Sequence, residues 1–177
     1  MRGMALLSHS LPTDGMDWLM GLTRAFKRAD AGDAGLVVAF ETEVTNRKLY
    51  GRPLDHDDAL SEISGNQYYL LFVDECLVAT GALRWREDAS AYLSNIAVLP
   101  GRRRQGLGRG MMNHLLSLCA QADTVDLAVH PDNLPAIALY TAVKFSPTDV
   151  KDDFFGDGEP RLIMTRSRGG NVATRPE

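Results

Sequence analysis

Cysteine is scarce in this chain. Cys76 and Cys119 stand far apart in 177 residues, and neither has metal-ligand spacing with His9, His56, His114 or His130. That excludes a disulfide framework and a zinc-type cluster. Both thiols are expected to be buried, in a cytoplasmic, reducing setting. Long apolar runs are also missing. No stretch approaches the ~18 residues of a membrane span, and the apolar part of MRGMALLSHSLP (1–12) is too short for a secretory signal. Positive charge is in deficit, with 19 Lys and Arg against 23 Asp and Glu and a formal net charge of -4. That argues against general nucleic-acid binding. There is no Gly-x-x-x-x-Gly-Lys-Ser/Thr motif, so no P-loop, and no internal repeat.

What remains is an ordinary globular composition, 45% apolar, long enough for one domain with a real core. Residues 23–166 are read as that domain, 1–22 as an N-terminal extension and 167–177 (SRGGNVATRPE) as a disordered tail. RAFKRA (24–29) reads as a strand. DAGDAG (30–35) supplies a turn, with Asp33 as the expected helix N-cap. Leu36, Val37, Phe40 and Val44 then fall at helical spacing, with an end expected near Tyr50-Gly51. A short helix is expected over DDALSEI (57–63). Strands follow at 67–73, 77–85 and 91–99, the first two joined by the turn DEC (74–76). From Gly106 a helix carries the stripe Leu107, Met111, Leu115, Leu118 and Ala122. VDLAV (125–129) is a strand, Asn133 caps a further helix with Pro135 in its first turn, and FSPTDV (145–150) and RLIMTR (161–166) are the last strands. This order predicts an α/β (α+β) fold, a mixed sheet with helices on both faces.

One stretch contradicts the overall acidity. GRRRQGLGRG (101–110) packs arginines and glycines between a strand and a helix. A helix N-terminus presents unpaired N–H groups and partial positive charge. Gly106 and Gly108 let a ligand approach the backbone, and Arg103, Arg104 and Arg109 add forked donors suited to phosphate oxygens. Together they make a pyrophosphate cradle, against the plainer alternative of a solvated basic turn. Nucleic-acid binding by Arg102–Arg104 lacks interleaved aromatics and a second basic patch. The dinucleotide fingerprint fits poorly.

Residues 103–108, RRQGLG, resemble the Arg/Gln-x-x-Gly-x-Gly/Ala signature of the GNAT N-acetyltransferase superfamily. NIAVLP (95–100) resembles the strand before that signature, NLPAIALY (133–140) the later Asn-x-x-Ala-x-x-Leu-Tyr helix, and RADAGDA (28–34) the first strand and helix start. The resemblance spans roughly 24–166 in order. It departs at Lys144-Phe145, where the family often has Gly-Phe. It implies a mostly antiparallel sheet of six to seven strands, splayed between the fourth and fifth, with about four helices.

The resemblance also implies acetyl-CoA as donor, without a metal. Arg103, Arg104, Gln105, Gly106, Leu107, Gly108 and Arg109 would hold the pyrophosphate, largely through backbone N–H groups. Ile96, Ala97 and Val98 would pair with the pantetheine arm as an added strand. A strand N–H near Ile96 would polarise the thioester carbonyl, and Asn133 would contact the arm. Tyr140 would be the acid that protonates the leaving thiolate, a phenol of pKa ~10 being suited to that donation. The alternative is a core tyrosine. Neutralising a lysine-like amine at pH 7 costs ~4.6 kcal/mol, so a proton acceptor is needed. Ser94 and Asn95 stand where family members often place a glutamate. Glu41, Glu43, Glu87, Asp88, His130, or a strand carbonyl with ordered water remain as candidates.

Two acceptors compete. KDDFFGDGE (151–159) resembles the paired-aromatic loop of protein N-terminal acetyltransferases, with Phe154 and Phe155 in place of tyrosines. FETEVTNRKLYG (40–51), followed by GALR (81–84), resembles bacterial small-molecule acetyltransferases. Acidic groups at Glu41, Glu43, Asp55, Asp57 and Asp58 suit a cationic amine. The expected activity is N-acetylation of a primary amine, a small molecule slightly ahead of a peptide terminus. The other class is a CoA-binding sensor or interaction module without catalysis. No membrane or nucleic-acid partner is expected, and the protein is expected to be a monomer or homodimer.

Overall fold

The structure, a computed structural model, describes residues 23–45 and 54–168. The extension (1–22), nearly all of the expected tail, and Tyr50-Gly51 lie outside the described residues. Seven strands form one sheet: β1 (Arg24–Arg28), β2 (Gln67–Val73), β3 (Cys76–Trp85), β4 (Ala91–Val98), β5 (Thr124–Val129), β6 (Ser146–Lys151) and β7 (Arg161–Ser167). Their order is β1-β2-β3-β4-β5-β7-β6. Every pairing is antiparallel except β4–β5. Four helices are described: α1 (Ala34–Val44), α2 (His56–Gly65), α3 (Leu107–Leu118) and α4 (Leu134–Ala142). This is the mixed, mostly antiparallel sheet expected from the sequence. None of the described helices is long and apolar enough to cross a membrane.

Period-two alternation in β2 feeds two cores. Tyr68 and Leu70 join Val37 of α1 and Ala59 and Ile63 of α2 on one face. Leu71 and Val73 join Leu107, Met111 and Leu115 of α3 on the other. Helix α3 lies so close to β3 that a Cβ at Gly81 would sit 2.7 Å from Met111 Cγ and Sδ.

Local chemistry changes several expectations. Asp33 does not cap α1 with its side chain. Its carboxylate turns back to accept the Asp30 N–H at 2.9 Å and the Lys27 ammonium at 2.6 Å, while Asp30 accepts from Gly32. A one-turn 3-10 helix therefore precedes α1. The buried face of α1 is Ala34, Val37, Phe40, Glu41 and Val44, which leaves Leu36 exposed. α1 ends at Val44 because Thr45 turns to extended backbone. Cys76 is exposed, since the two-residue turn is Asp74-Glu75 and Cys76 already pairs with Val73. Only Cys119 is a buried thiol. Leu118 is exposed at the end of α3, and Ala122 is buried beyond the helix. β7 runs through Ser167, one residue into the expected tail.

His114 on α3 stacks on Phe26 with centroids 4.0 Å apart and meets the Tyr69 ring at 4.7 Å. Its Nε2 is buried without a hydrogen-bond partner among the described residues, and burial holds its pKa below the usual 6.5. The unfolded chain therefore binds that proton first. The stabilisation is present above the unfolded pKa and is lost as pH falls through it. The parent should lose more thermal stability between about pH 7.5 and 5.5 than His114→Phe, as read from melting curves. Equal losses would show that His114 does not contribute.

Candidate active site

The site begins at an irregularity in β4. Asn95 pairs with Ala82 but Leu93 with Leu83, so Ser94 is an extra residue, a bulge that bends the strand. Pairing with β5 stops at the same place. Ala91, Tyr92 and Leu93 match Val125, Asp126 and Leu127, and beyond them the strands part. A cavity of about 940 Å³ opens in the gap, lined by Ile96, Ala97 and Val98 on one wall and Leu127, Ala128 and Val129 on the other.

The arginine-glycine loop closes one part of this cavity. Arg104 has φ 63 and Gly106 φ 78, so the backbone turns twice through the left-handed region before α3 starts. Such turns direct successive N–H groups into one concavity, an anion-binding nest. Gly106 is the N-cap of α3 and offers no side chain to the free N–H groups. A Cβ at Gly108 would lie 3.3 Å from Leu139 Cδ2 and 3.6 Å from Val98 Cγ2. Arg103, Arg104, Gly106, Gly108 and Arg109 line the cavity, with Arg102 beside them. Leu107 packs into the core and Gln105 is exposed outside the lining. Either of these two can serve a ligand here only through its backbone.

Helix α4 brings Asn133 and Tyr140 to the same cavity. The Asn133 carbonyl oxygen accepts the Ala136 N–H, capping the helix, and Pro135 sits in its first turn. The end of α4 resolves the Lys144-Phe145 departure. Phe145 N–H donates to the Tyr140 carbonyl and Lys144 N–H to that of Thr141, with Lys144 at φ 73. This is a Schellman turn, in which a glycine would be less strained. The lysine makes the turn nonetheless, and Phe145 is buried behind Tyr140, with ring centroids 6.2 Å apart.

Acidic and polar side chains line another part of the cavity, among apolar Val44, Leu54 and Leu93. Glu41, on the buried face of α1, reaches across to the sheet. Its Oε1 accepts from Tyr68 Oη at 2.9 Å, Asn95 Nδ2 at 3.0 Å and Thr80 Oγ1 at 3.1 Å. Burial, reinforced by the Glu41 charge, holds the Tyr68 phenol well above its usual pKa, so it remains a donor. Glu62 of α2 also lines the cavity, and burial pushes its carboxyl upward. Of the carboxylates considered from sequence as proton acceptors, Glu43, Glu87 and Asp88 are exposed and away from the cavity. His130 is buried there, but both ring nitrogens are engaged. Nδ1 accepts the Asp132 N–H at 3.1 Å, which leaves Nε2 to donate to Glu159 at 3.1 Å.

The loop between β6 and β7 is pinned beside the cavity. Arg161 is 2% exposed. It donates to the carbonyls of Glu159 and Pro160, pairs with Asp157, and lies 5.1 Å from the Phe155 ring centroid. The His130–Glu159 bond ties the same loop to the end of β5. Phe155 consequently lines the cavity, with Phe154 edge-on to it at 4.7 Å. Sequence reading missed Tyr68, Thr80, Glu62 and Arg161. An arginine opening RLIMTR reads as a solvated strand end, and one tyrosine of QYYLLFV had to face inward without any sign of its partner.

The comparisons agree with this geometry. A Bacillus subtilis protein provisionally named a ribosomal protein bS18-alanine N-acetyltransferase is 30% identical over 117 residues, 63% of this chain and 78% of that one. The Escherichia coli ribosomal protein bS18-alanine N-acetyltransferase is 38% identical over 79 residues, 42% of this chain, so that match spans about half of the relative (53%). The crystal structure of the E. coli ribosomal-protein-S18-alanine N-acetyltransferase superposes with a TM-score of 0.70 at 23% identity, covering 85% of this chain and 96% of that one. The profile of the acetyltransferase (GNAT) family matches residues 33–145, from the start of α1 to the buried Phe145 behind Tyr140. A sheet that splays beside an arginine-glycine helix start is thus accompanied by a family match across the same elements, and the chain belongs to the GNAT acetyltransferase family.

Proposed function

We propose that the protein transfers an acetyl group from acetyl-CoA to the α-amino group of a peptide or protein. The residues present fit the donor. The nest at Arg104 and Gly106, the uncapped start of α3 and three arginines suit a pyrophosphate. The edge of β4 beyond the splay offers Ile96, Ala97 and Val98 for backbone pairing with the pantetheine arm, and Asn133 stands beside it. When bound, acetyl-CoA supplies an acetyl thioester for direct attack by the amine. The chain's part is to orient that group at the splay and to donate a proton from the Tyr140 hydroxyl to the departing sulfur, while the proton the attacking amine loses passes through solvent and restores the tyrosine hydroxyl.

The observation that carries the acceptor class is the fixed β6–β7 loop. A free small amine ends inside the cavity, whereas a peptide must leave it, and partly exposed Phe155 lines the cavity on a loop tied by Arg161 and by His130–Glu159. The E. coli relative is named an alanine N-acetyltransferase of ribosomal protein bS18, and the B. subtilis relative is provisionally so named. Sequence alone put a small amine slightly ahead; these two observations favour the reverse.

Release of free CoA thiol over a panel of short peptides with varied first residues, polyamines, amino acids and aminoglycosides tests this. Turnover is expected on peptides. Turnover confined to small amines would overturn the acceptor class. Thermal protection by CoA with no transfer to any acceptor would instead identify a binding module.

A further inference from the structure

We propose that Glu41 is the subsite that holds the ammonium of the acceptor. This rests on the acetyl-transfer reading and deepens it. Glu41 is 8% exposed and lines the cavity. Its three side-chain hydrogen bonds come from neutral donors, and all end on Oε1. Among the described residues no lysine, arginine or histidine pairs with it. The nearby carboxyl of Glu62 adds charge of the same sign, and the Arg84 charge close to it acts on Glu62. Neutral donors ease the burial of a carboxylate but do not balance its charge, and a buried anion without a counter-ion is costly. A cation entering the cavity supplies that balance.

The position suits an acceptor. Asn95, which donates to Glu41, stands two residues beyond Leu93, the last residue of β4 paired with β5. Four elements, α1, β2, β3 and β4, converge to hold one carboxylate oxygen at the splay. A purely structural role predicts something different: the cluster would be a staple fastening α1 to the sheet, and neutralising it would loosen that helix.

Glu41→Gln separates the two, because it keeps an oxygen for the three donors and removes the charge. Binding is measured calorimetrically, with CoA present, for a short peptide bearing a free amino terminus and for its N-formylated counterpart. The parent should prefer the free amine by about 10- to 100-fold, the worth of a charge-assisted contact, and Glu41→Gln should bind both alike. The variant should also melt higher by about 2–4 °C, since a buried charge with no cation paired to it among the described residues is gone. An unchanged preference in Glu41→Gln overturns the proposal, as does a lowered melting temperature with the preference retained. If the parent binds neither peptide, the peptide reading itself falls. The melting temperature of Glu41→Gln then judges the subsite alone, a rise supporting it and a fall overturning it.

Discussion

Tyr140→Phe is expected to lower kcat by about 100-fold or more while leaving affinity for acetyl-CoA unchanged. The substitution removes only the hydroxyl. The ring keeps its place against Phe145, and the turn that fixes the end of α4 uses the backbone carbonyls of Tyr140 and Thr141, which phenylalanine does not disturb. Loss of a proton donor acts on the step in which sulfur departs, so kcat and kcat/KM should fall together. Steady-state kinetics read the first quantity, and thermal protection by CoA reads the second. Unchanged turnover would make Tyr140 a core residue that happens to border the cavity.

Gly108→Val is expected to raise the KM for acetyl-CoA by about 10- to 100-fold, the worth of one or two charge-assisted hydrogen bonds, and to abolish thermal protection by CoA. The reason is crowding. A Cβ at this position already meets Leu139 Cδ2 at 3.3 Å and Val98 Cγ2 at 3.6 Å. Two further methyls must displace the end of β4, the start of α3 or α4, and all three border the cradle. Gly106→Ala is the informative companion. Nothing crowds that position, but its φ of 78 strains any side chain, so it should cost about 1–2 kcal/mol in stability with a smaller effect on binding. Full CoA protection in Gly108→Val would place the pyrophosphate elsewhere.

The proposed donor half of the site was legible because its determinants are local. GRRRQGLGRG shows its arginines, its glycines and its place between strand and helix within ten residues. The conformations that matter, at Arg104 and Gly106, are set by neighbours along the chain. NLPAIALY likewise carries its own cap and its tyrosine. Misreadings arose where one local signal had two outcomes. Asp33 could cap forward or fold back, and Lys27 with Asp30 drew it back. Leu36 matched a helical stripe, but the face that met the sheet was set by Val37, Phe40 and Glu41.

By itself the sequence determined the element order, the α/β class, the arginine-glycine turn at the start of α3 and the tyrosine near the end of α4, because period, capping and turn chemistry act over a few residues. Only the tertiary structure decided which acidic groups enter the cavity. Glu41, Tyr68, Thr80 and Asn95 come from four separate elements; sheet register brings the last three together, and the packing of α1 on the sheet adds Glu41. On the sequence, Glu41 is indistinguishable in kind from exposed Glu43 two residues on. What separates them is the rotation of α1 against the sheet, set by burial of Val37, Phe40 and Val44, which turns one carboxylate into the cavity and the other into water.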